Sequence, residues 1–159
     1  MQGFKASKRL NRNEEAKMEI KFHVDLDQLQ SFFEEAKKIQ EACPTAIETE
    51  RLILRREKPI DCVSTRYSIY LRETEQNVGS ITLINDGEIW YGISEPFQKN
   101  GYATEALAKV EEVVKTDIPF YLAIDAKNKA SRKVAKKAGF VCKRKRRDKG
   151  KITMIFEKK

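Results

Sequence analysis

The chain has 159 residues, of which 40% are hydrophobic and 35% charged, and its formal net charge is +8. This length suits one domain with a sizeable core, and no run approaches the roughly 18 apolar residues that a membrane span needs. The three cysteines are far apart and the single histidine has no cysteine nearby, so no metal-ligand spacing exists. We therefore expect a cytoplasmic globular protein with free thiols, no metal and no membrane contact. The basic charge indicates either simple solubility or anionic partners, such as nucleic acid, a ribosome or cofactor phosphates.

The N-terminal third predicts an extension before the main domain. Residues 1–16 are polar without periodicity and predict a flexible tail, and the short alternation over residues 17–24 predicts a strand. A helix should follow between Asp25, a plausible N-cap, and Pro44, a stop. Its apolar stripe needs a docking partner, which is either its own domain or a second subunit in a homodimer. The stripe consists of Leu26, Leu29, Phe32, Phe33, Ala36, Ile39 and Cys43.

The middle of the chain predicts an antiparallel meander. Branched residues over 47–56 predict one strand, and two further strands at 66–72 and 77–84 are separated by a polar hairpin segment. The turn Asn85-Asp86-Gly87 then leads into a strand over residues 88–94.

The second half predicts two helices and three more strands. Apolar spacing from Gly101 onward predicts a helix, and residues 119–125 have the character of a central parallel strand. A second helix should cover 128–138, followed by a hairpin of residues 141–147 and 152–157. The order predicts an α/β fold with a mixed, mostly antiparallel sheet flanked by helices.

One segment has the character of an anion site. Residues 98–104, Gln-Lys-Asn-Gly-Tyr-Ala-Thr, join a strand to the start of a helix. The first turn of a helix offers unpaired N–H groups and the positive end of its dipole. Gly101 allows close backbone approach and Ala103 does not obstruct it, so a pyrophosphate suits the segment. An ordinary strand-to-helix turn would also explain a Gly-x-Ala sequence on its own.

The wider pattern resembles a known family. The spacing Gln-x-x-Gly-x-Ala at residues 98–103 resembles the acyl-CoA signature of the GNAT N-acetyltransferase superfamily. Residues 49–55, TERLILR, look like the opening strand of the subgroup that includes the ribosomal-protein N-terminal acetyltransferases. Residues 78–81 and 128–140 also agree with the family in order and spacing. We therefore expect a strand–helix extension over 17–46 and a GNAT acyl-CoA-binding domain over 47–159.

The resemblance implies acetyl-CoA as co-substrate and a set of residues around it. The backbone of Ile93 and Ser94 would hydrogen-bond the pantetheine arm, and backbone N–H groups of the 98–104 segment would hold the pyrophosphate. Asn128 would bind pantetheine or simply cap its helix, and Ser131 would lie near the sulfur. The implied cofactor-binding residues are Ile93, Ser94, Gln98, Lys99, Asn100, Gly101, Tyr102, Ala103, Thr104, Asn128 and Ser131.

The implied reaction is direct transfer of an acetyl group to a primary amine: a protein N-terminus, a lysine or a small amine. Glu88 is the predicted base, with a solvated residue after the turn as the plain alternative and Glu95 as a weaker base. Many family members use a tyrosine as the general acid at the position where this chain has Ala135. Ser131 is the predicted substitute, with Tyr91, Tyr121 or a water as alternatives. The second interpretation of the sequence is a catalytically inactive regulatory module that binds the cofactor.

Two further features concern partners. Only about ten residues, 56–65, separate strands between which the family usually has two helices, so we expect the N-terminal helix to cover the acceptor side. The basic run over residues 143–147 predicts contact with nucleic acid or a ribosome. A charged edge strand that resists unwanted strand pairing explains the run equally well.

Overall fold

The computed structural model describes residues 26–59, 61 and 63–158. The structure divides into two units after Phe32, and among the described elements all except the first turns of the first helix belong to the second unit. The predicted tail over residues 1–16 and the predicted strand over residues 17–24 lie outside the described residues.

The first helix, α1 (Leu26–Ala42), has the predicted position. Among the stripe residues whose burial the structure describes, Ile39 and the following Cys43 are in the core. Phe33 is 48% exposed, and Leu26, which belongs to the first unit, is 79% exposed. Docking on the chain's own domain is therefore seen at Ile39 and Cys43, and docking of the exposed residues on a second subunit stays a prediction.

The C-terminal end of α1 is held by an arginine. The Arg56 guanidinium donates from Nη1 to the carbonyl oxygens of Cys43 at 2.5 Å and Gln40 at 3.2 Å. Carbonyls in the last turn of a helix have no partner within the helix, so the arginine supplies a hydrogen bond to the Cys43 carbonyl and adds one to the Gln40 carbonyl, which also accepts from Cys43 N–H at 3.3 Å. Arg56, the last residue of the strand Leu52–Arg56, thus fastens the end of α1 to that strand.

The first five strands form one antiparallel sheet in chain order. They are β1 (Ala46–Glu48), β2 (Leu52–Arg56), β3 (Ser64–Leu71), β4 (Asn77–Ile84) and β5 (Ile89–Ile93). The predicted meander over the last three of these strands is confirmed. Residues 57–59, 61 and 63, which the structure describes between β2 and β3, contain no helix.

The single strand predicted over residues 47–56 is wrong, because the chain reverses within it. Ile47 pairs with Leu54 across a hairpin. At the turn, Thr49 N–H donates to the Leu52 carbonyl at 2.9 Å, and Leu52 N–H donates to Thr49 Oγ1 at 2.8 Å. The threonine side chain thereby stabilises a turn in a segment that contains no Gly, Asn or Pro, the residues that normally indicate a turn in a sequence.

The second half contains the predicted helices and hairpin. A short 3₁₀ helix (Glu95–Phe97) precedes α2 (Tyr102–Val113), and α3 (Lys129–Lys137) follows β6. The strands β6 (Tyr121–Asp125), β7 (Phe140–Asp148) and β8 (Lys151–Lys158) form a second antiparallel sheet in the order β6–β8–β7. The α/β fold class with a mostly antiparallel sheet flanked by helices is confirmed.

The predicted central parallel strand needs correction. In the described part of the chain, β5 and β6 share one parallel bridge, Glu88 with Tyr121, supported by Tyr121 N–H donating to the Gly87 carbonyl at 2.9 Å. Beyond this bridge β6 pairs antiparallel with β8 rather than with β5. The two sheets are therefore joined at one end and splayed apart at the other.

The core lies on one face of the five-stranded sheet. Alternate strand residues are buried there together with one side of α2, which contacts β1, β2 and β5. In α2 the buried residues are Ala106, Leu107 and Val110, and the fully buried strand residues include Leu52, Leu54, Tyr67, Ile69, Ile81, Leu83, Leu122 and Phe156. No helix among the described residues is long and apolar enough to cross a membrane.

Gly79 sets the close approach of β4 to the last residues of β5. A Cβ at Gly79 would lie 2.1 Å from the Gly92 carbonyl oxygen and 3.0 Å from Ile93 Cα. A Cβ at Gly92, on the partner strand, would meet no atom within 4 Å.

The Gly79→Ala substitution should therefore push β5 away from β4 and lower the free energy of unfolding by about 1–3 kcal/mol. Gly92→Ala is the matched control and should stay within about 0.5 kcal/mol of wild type. Urea denaturation measures both, and equal effects of the two substitutions would contradict the steric account.

Candidate functional site

The loop over residues 98–104, called the cofactor loop below, turns the chain sharply before α2. Lys99 and Gly101 both have left-handed backbones, with φ of 66° and 85°. The first hydrogen bond of α2 is donated by Glu105 N–H to the Gly101 carbonyl at 3.0 Å. The N–H groups of residues 102–104 precede this bond and have no backbone partner in the described structure. Three converging donors at the positive end of a helix can bind an anion.

Two side chains of the cofactor loop maintain its shape. Gln98 Nε2 donates to the Ile93 carbonyl at 2.9 Å, which ties the loop to the end of β5. Asn100 Nδ2 donates to the carbonyls of Phe97 at 3.1 Å and Gln98 at 3.2 Å. These side chains bond to carbonyl groups and leave the N–H groups of residues 102–104 without a backbone partner, whereas the Gln98 N–H already donates to the Glu95 carbonyl at 3.2 Å. The exposed Lys99 adds positive charge.

The turn between β1 and β2 braces the cofactor loop from outside. Arg51 pairs with Glu105 through Nη2 and Oε2 at 2.6 Å, donates from Nη1 to the Asn100 carbonyl at 3.1 Å, and lies over the Tyr102 ring at 4.9 Å. Thr49 Oγ1 donates to Glu105 Oε1 at 2.5 Å. The TERL segment, read from sequence only as a family resemblance, is thus a structural neighbour of the loop.

The Glu105 carboxylate, which Arg51 and Thr49 contact, is ionised at neutral pH. Burial by itself raises the pKa of Glu105, but the hydrogen bonds from Thr49 and Arg51 and the charge of Arg51 outweigh it. The pKa of Glu105 therefore lies below its ordinary value, and a full negative charge stands in the first turn of α2.

The register of β5 decides which of its backbone groups face the opening between β5 and β6, which we call the splay. Ser94 N–H donates to the Val78 carbonyl and the Ser94 carbonyl accepts from Phe97 N–H, both at 2.9 Å. Because antiparallel pairing alternates along a strand, the backbone groups of Tyr91 and Ile93 face away from β4, toward the splay. Both backbone groups of Ser94 already have partners, as does the Ile93 carbonyl, and the predicted contacts of Ile93 and Ser94 with pantetheine stay predictions.

A cavity of about 230 Å³ occupies the splay between β5 and β6. The Tyr91 phenol donates to the Ser131 carbonyl at 3.2 Å across it, and burial raises the pKa of Tyr91, so the phenol is protonated at neutral pH. Asn128 Oδ1 accepts from Ser131 N–H at 2.9 Å and caps α3. The cavity is lined by Ile89, Trp90, Tyr91, Leu122, Ala123, Ile124, Asp125, Asn128 and Ser131.

The position at which the family resemblance expects a tyrosine is unavailable for chemistry. Ala135, on α3, is 0% exposed and belongs to the core. A proton donor at the splay must therefore come from another residue, and Tyr91 and Ser131 are the two predicted candidates that line the cavity.

Glu88 lies at the joined end of the two strands, half-buried, directly before the first β5 residue that lines the splay cavity. Beside it, the Tyr121 phenol donates to Asp86 Oδ2 at 2.9 Å. Burial, this hydrogen bond and the charges of Asp86 and Glu88 raise the pKa of Tyr121 to about 12. Tyr121 is therefore committed to Asp86, and the Glu88 carboxylate lies close enough to the Tyr121 phenol to act on its pKa, although Glu88 is not among the residues that line the splay cavity.

A second cavity, of about 790 Å³, shares Trp90 with the splay cavity. Trp90 is 58% exposed. The walls come from the last turns of α1, the segment after β2, and the strands β3 and β4. Among the lining residues are Lys37, Gln40, Glu41, Arg56, Glu57, Lys58, Asp61, Ser64, Arg66, Thr82 and Ile84.

The structure brings most of the predicted residues into two groups. The cofactor loop adjoins Ile93, and Asn128 and Ser131 adjoin Tyr91. Sequence reasoning missed the roles of Arg51 and Trp90. The only available signal for Arg51 was its place in the TERL segment, because its partner Glu105 lies 54 residues away.

Among the described residues, no group of three His, Cys, Asp or Glu side chains could hold a metal ion.

Comparison with known structures gives several similar folds. A GnaT-family acetyltransferase from Bordetella pertussis has a TM-score of 0.61 at 13% identity, over 73% of this chain and 100% of that one. RimL, a ribosomal L7/L12 alpha-N-protein acetyltransferase solved with coenzyme A, has a TM-score of 0.59 at 14% identity, over 71% and 97%. A spermidine N-acetyltransferase SpeG chimera from Vibrio cholerae and hSSAT has 0.53 at 16%, over 62% and 68%.

Comparison of the sequence is more decisive about family. No curated protein matches the chain. The family model described as an acetyltransferase (GNAT) domain matches residues 9–141, which is well over half of the chain and begins upstream of residue 47, where the resemblance was expected to start. The chain therefore belongs to the GNAT acetyltransferase family and is an acyltransferase.

Proposed function

We propose that this protein is a cytoplasmic N-acetyltransferase that moves an acetyl group from acetyl-CoA to a primary amine. The observation that carries the proposal is the cofactor loop, where the N–H groups of residues 102–104 stand unpaired at the start of α2, next to the strand end at Ile93. Coenzyme A bound to RimL, a protein of similar fold, supports this choice of donor.

The proposed contacts to acetyl-CoA follow from these groups. Backbone N–H groups of residues 99–104 hold the pyrophosphate, and Lys99 adds charge to the phosphates. The backbone of Tyr91 and Ile93 hydrogen-bonds the pantetheine arm in the splay, in the manner of an added strand. Asn128 orients α3, and with it Ser131, by capping the helix.

The proposed reaction needs a proton acceptor and a proton donor. The neutral amine attacks the thioester carbonyl carbon, a C–N bond forms, the C–S bond breaks, and coenzyme A leaves as a thiolate. Glu88 takes the proton that the amine nitrogen loses, because this half-buried carboxylate residue directly precedes Ile89, which lines the splay cavity. The thiolate receives a proton from Tyr91, which burial keeps protonated, or from the Ser131 hydroxyl.

The proposed acceptor site is the larger cavity, because Trp90 connects it to the splay. Its walls include α1 residues, which supports the expectation that the N-terminal helix replaces the missing helices on the acceptor side. RimL acts on a protein alpha-amine and SpeG on spermidine. The cavity lining mixes four basic residues with three acidic ones, which favours a single amine over a polyamine. The residues are Lys37, Arg56, Lys58, Arg66, Glu41, Glu57 and Asp61.

Contact with nucleic acid or a ribosome stays a proposal with weaker support. The basic run lies on β7, an edge strand of the second sheet, and its residues are exposed. Alternate residues point to opposite faces, and Arg144 already pairs with Glu157 at 3.0 Å. A homodimer through α1 likewise stays a prediction.

The Gly101→Ala substitution tests the cofactor loop. A side chain at φ 85° strains the backbone, at a cost of about 1 kcal/mol of folding free energy, and it should displace the loop amides. We expect acetyl-CoA to bind about tenfold more weakly, measured by isothermal titration calorimetry. Gly150→Ala, at φ 78° in the β7–β8 turn, is the matched control with the same strain and no expected loss of binding. Unchanged binding by Gly101→Ala would count against the loop as the pyrophosphate site.

The Glu88→Gln substitution tests the base. Loss of a general base should reduce kcat by about 10²–10⁴-fold and remove the acidic limb of the pH–rate profile, with acetyl-CoA binding unchanged. Glu95→Gln, seven residues further along the chain, is the control and should keep the wild-type profile. A Glu88→Gln enzyme with the wild-type rate would rule out this role.

Thiol release by the wild-type protein across a panel of amines provides the baseline for both variants. Turnover with at least one amine supports the transferase. Tight acetyl-CoA binding without thiol release would instead favour the regulatory module, since the usual tyrosine is replaced by the buried Ala135.

A further inference from the structure

We propose that Arg51 is a positioning residue for the cofactor site, acting on the loop amides through the Asn100 carbonyl and the Glu105 carboxylate. The inference rests on the proposed binding of acetyl-CoA by the cofactor loop. It assigns a role to the turn between β1 and β2, which the proposed contacts to acetyl-CoA do not include.

Arg51 fixes the orientation of the peptide bond between Asn100 and Gly101 in the cofactor loop. Asn100 lies between Lys99 and Gly101, the two residues with left-handed backbones. The Arg51 Nη1 group holds the Asn100 carbonyl at 3.1 Å. In a trans peptide the carbonyl and the following N–H point in opposite directions, so a carbonyl drawn toward Arg51 aims the Gly101 N–H away from it. The arginine thereby selects one orientation of a loop amide before a ligand arrives.

Arg51 also cancels a charge that opposes anion binding. Glu105 is in the first turn of α2, its side chain is 20% exposed, and its carboxylate is ionised. An anionic pyrophosphate at the same helix end is repelled by this carboxylate. The Arg51 guanidinium at 2.6 Å neutralises the pair, which leaves the positive end of the helix for the ligand.

The brace is anchored to the central sheet, which distinguishes it from an ordinary surface ion pair. Arg72, directly after β3, donates its N–H to the Arg51 carbonyl at 2.9 Å and its Nη1 to the Thr49 carbonyl at 2.8 Å. Thr49 in turn donates to Glu105. An isolated exposed ion pair contributes little to stability, because ordering its two side chains costs conformational entropy. Here several hydrogen bonds hold the same side chains in place, so that cost is divided among them.

The test is a double-mutant cycle on Arg51→Gln and Glu105→Gln, with acetyl-CoA binding measured by isothermal titration calorimetry. Arg51→Gln should weaken binding at least tenfold, because it frees the Asn100 carbonyl and exposes the Glu105 charge. Glu105→Gln alone should weaken binding less. The double variant should bind more tightly than Arg51→Gln, because the repelling charge is gone. In steady-state assays Arg51→Gln should raise the KM for acetyl-CoA and change kcat less than threefold.

Arg55→Gln is the matched control. Arg55 also pairs with a carboxylate, Glu75 at 2.9 Å, and lies 4.9 Å over an aromatic ring, Tyr70, but it does not contact the cofactor loop. Its loss should leave acetyl-CoA binding at the wild-type level.

The outcomes separate the inference from the function on which it rests. If the wild-type protein binds no acetyl-CoA, the proposed function fails. If it does bind and Arg51→Gln binds equally well, the positioning role is overturned. It is also overturned if Arg51→Gln loses binding only in proportion to a lost melting temperature and the second substitution restores nothing, since a purely structural role would behave in that way.

Discussion

Backbone groups that the fold itself leaves unpaired are the constraint on which the functional half of this protein depends. Along β5, alternate residues pair with β4, and the others face a strand that meets β5 at one bridge in the described structure. At the start of α2 the N–H groups of residues 102–104 precede the first hydrogen bond of the helix. Unpaired backbone groups that lose contact with water are costly, so each set favours a ligand that supplies the missing partners.

The other elements maintain these two openings. Gly79 lets β4 hold the far end of β5, and the Gln98 side chain ties that end to the cofactor loop. The pairing of β6 with β8 draws β6 away from β5, which creates the splay. Arg51 braces the loop from the β1–β2 turn. An acyl-CoA arm along β5 and a pyrophosphate at α2 would therefore satisfy groups that are already fixed in position.

Among the described residues, the proposed acceptor side lacks the two helices that the family resemblance would place between β2 and β3, as the short segment in the sequence led us to expect. The described part of the segment between β2 and β3 holds no helix, and Arg56 instead fastens the end of α1 beside the same strands. Trp90 stands between the resulting cavity and the splay. A short connection and an upstream helix thus form a wall that two inserted helices would otherwise provide.

Features with local signals could be predicted from the sequence. The helical period after Gly101, the polar hairpin turns and the glycine at the helix start were sufficient for α2, α3, the meander and the cofactor loop. The hairpin at Thr49 was missed because its turn bonds come from a threonine inside a run of strand-forming residues. The backbone partners of Ser94 could not be predicted, because only the strand register shows which backbone groups are already paired.

Contacts between residues far apart in the chain could not be predicted from the sequence. Nothing local links Arg51 to Glu105, or Trp90 to α1, because these contacts depend on how separate elements pack. The buried Ala135 shows the same limit, since its substitution was visible in sequence but its core position was not.

The most direct test of the central claim is amide NMR of the wild-type protein during titration with acetyl-CoA. The account predicts that the backbone N–H resonances of residues 99–104 and of Ile93 shift most, because these groups gain hydrogen bonds to the ligand. The resonance of Ser94, whose N–H is already bonded to Val78, should shift less. Binding that shifts other amides and leaves residues 99–104 unchanged would contradict the account.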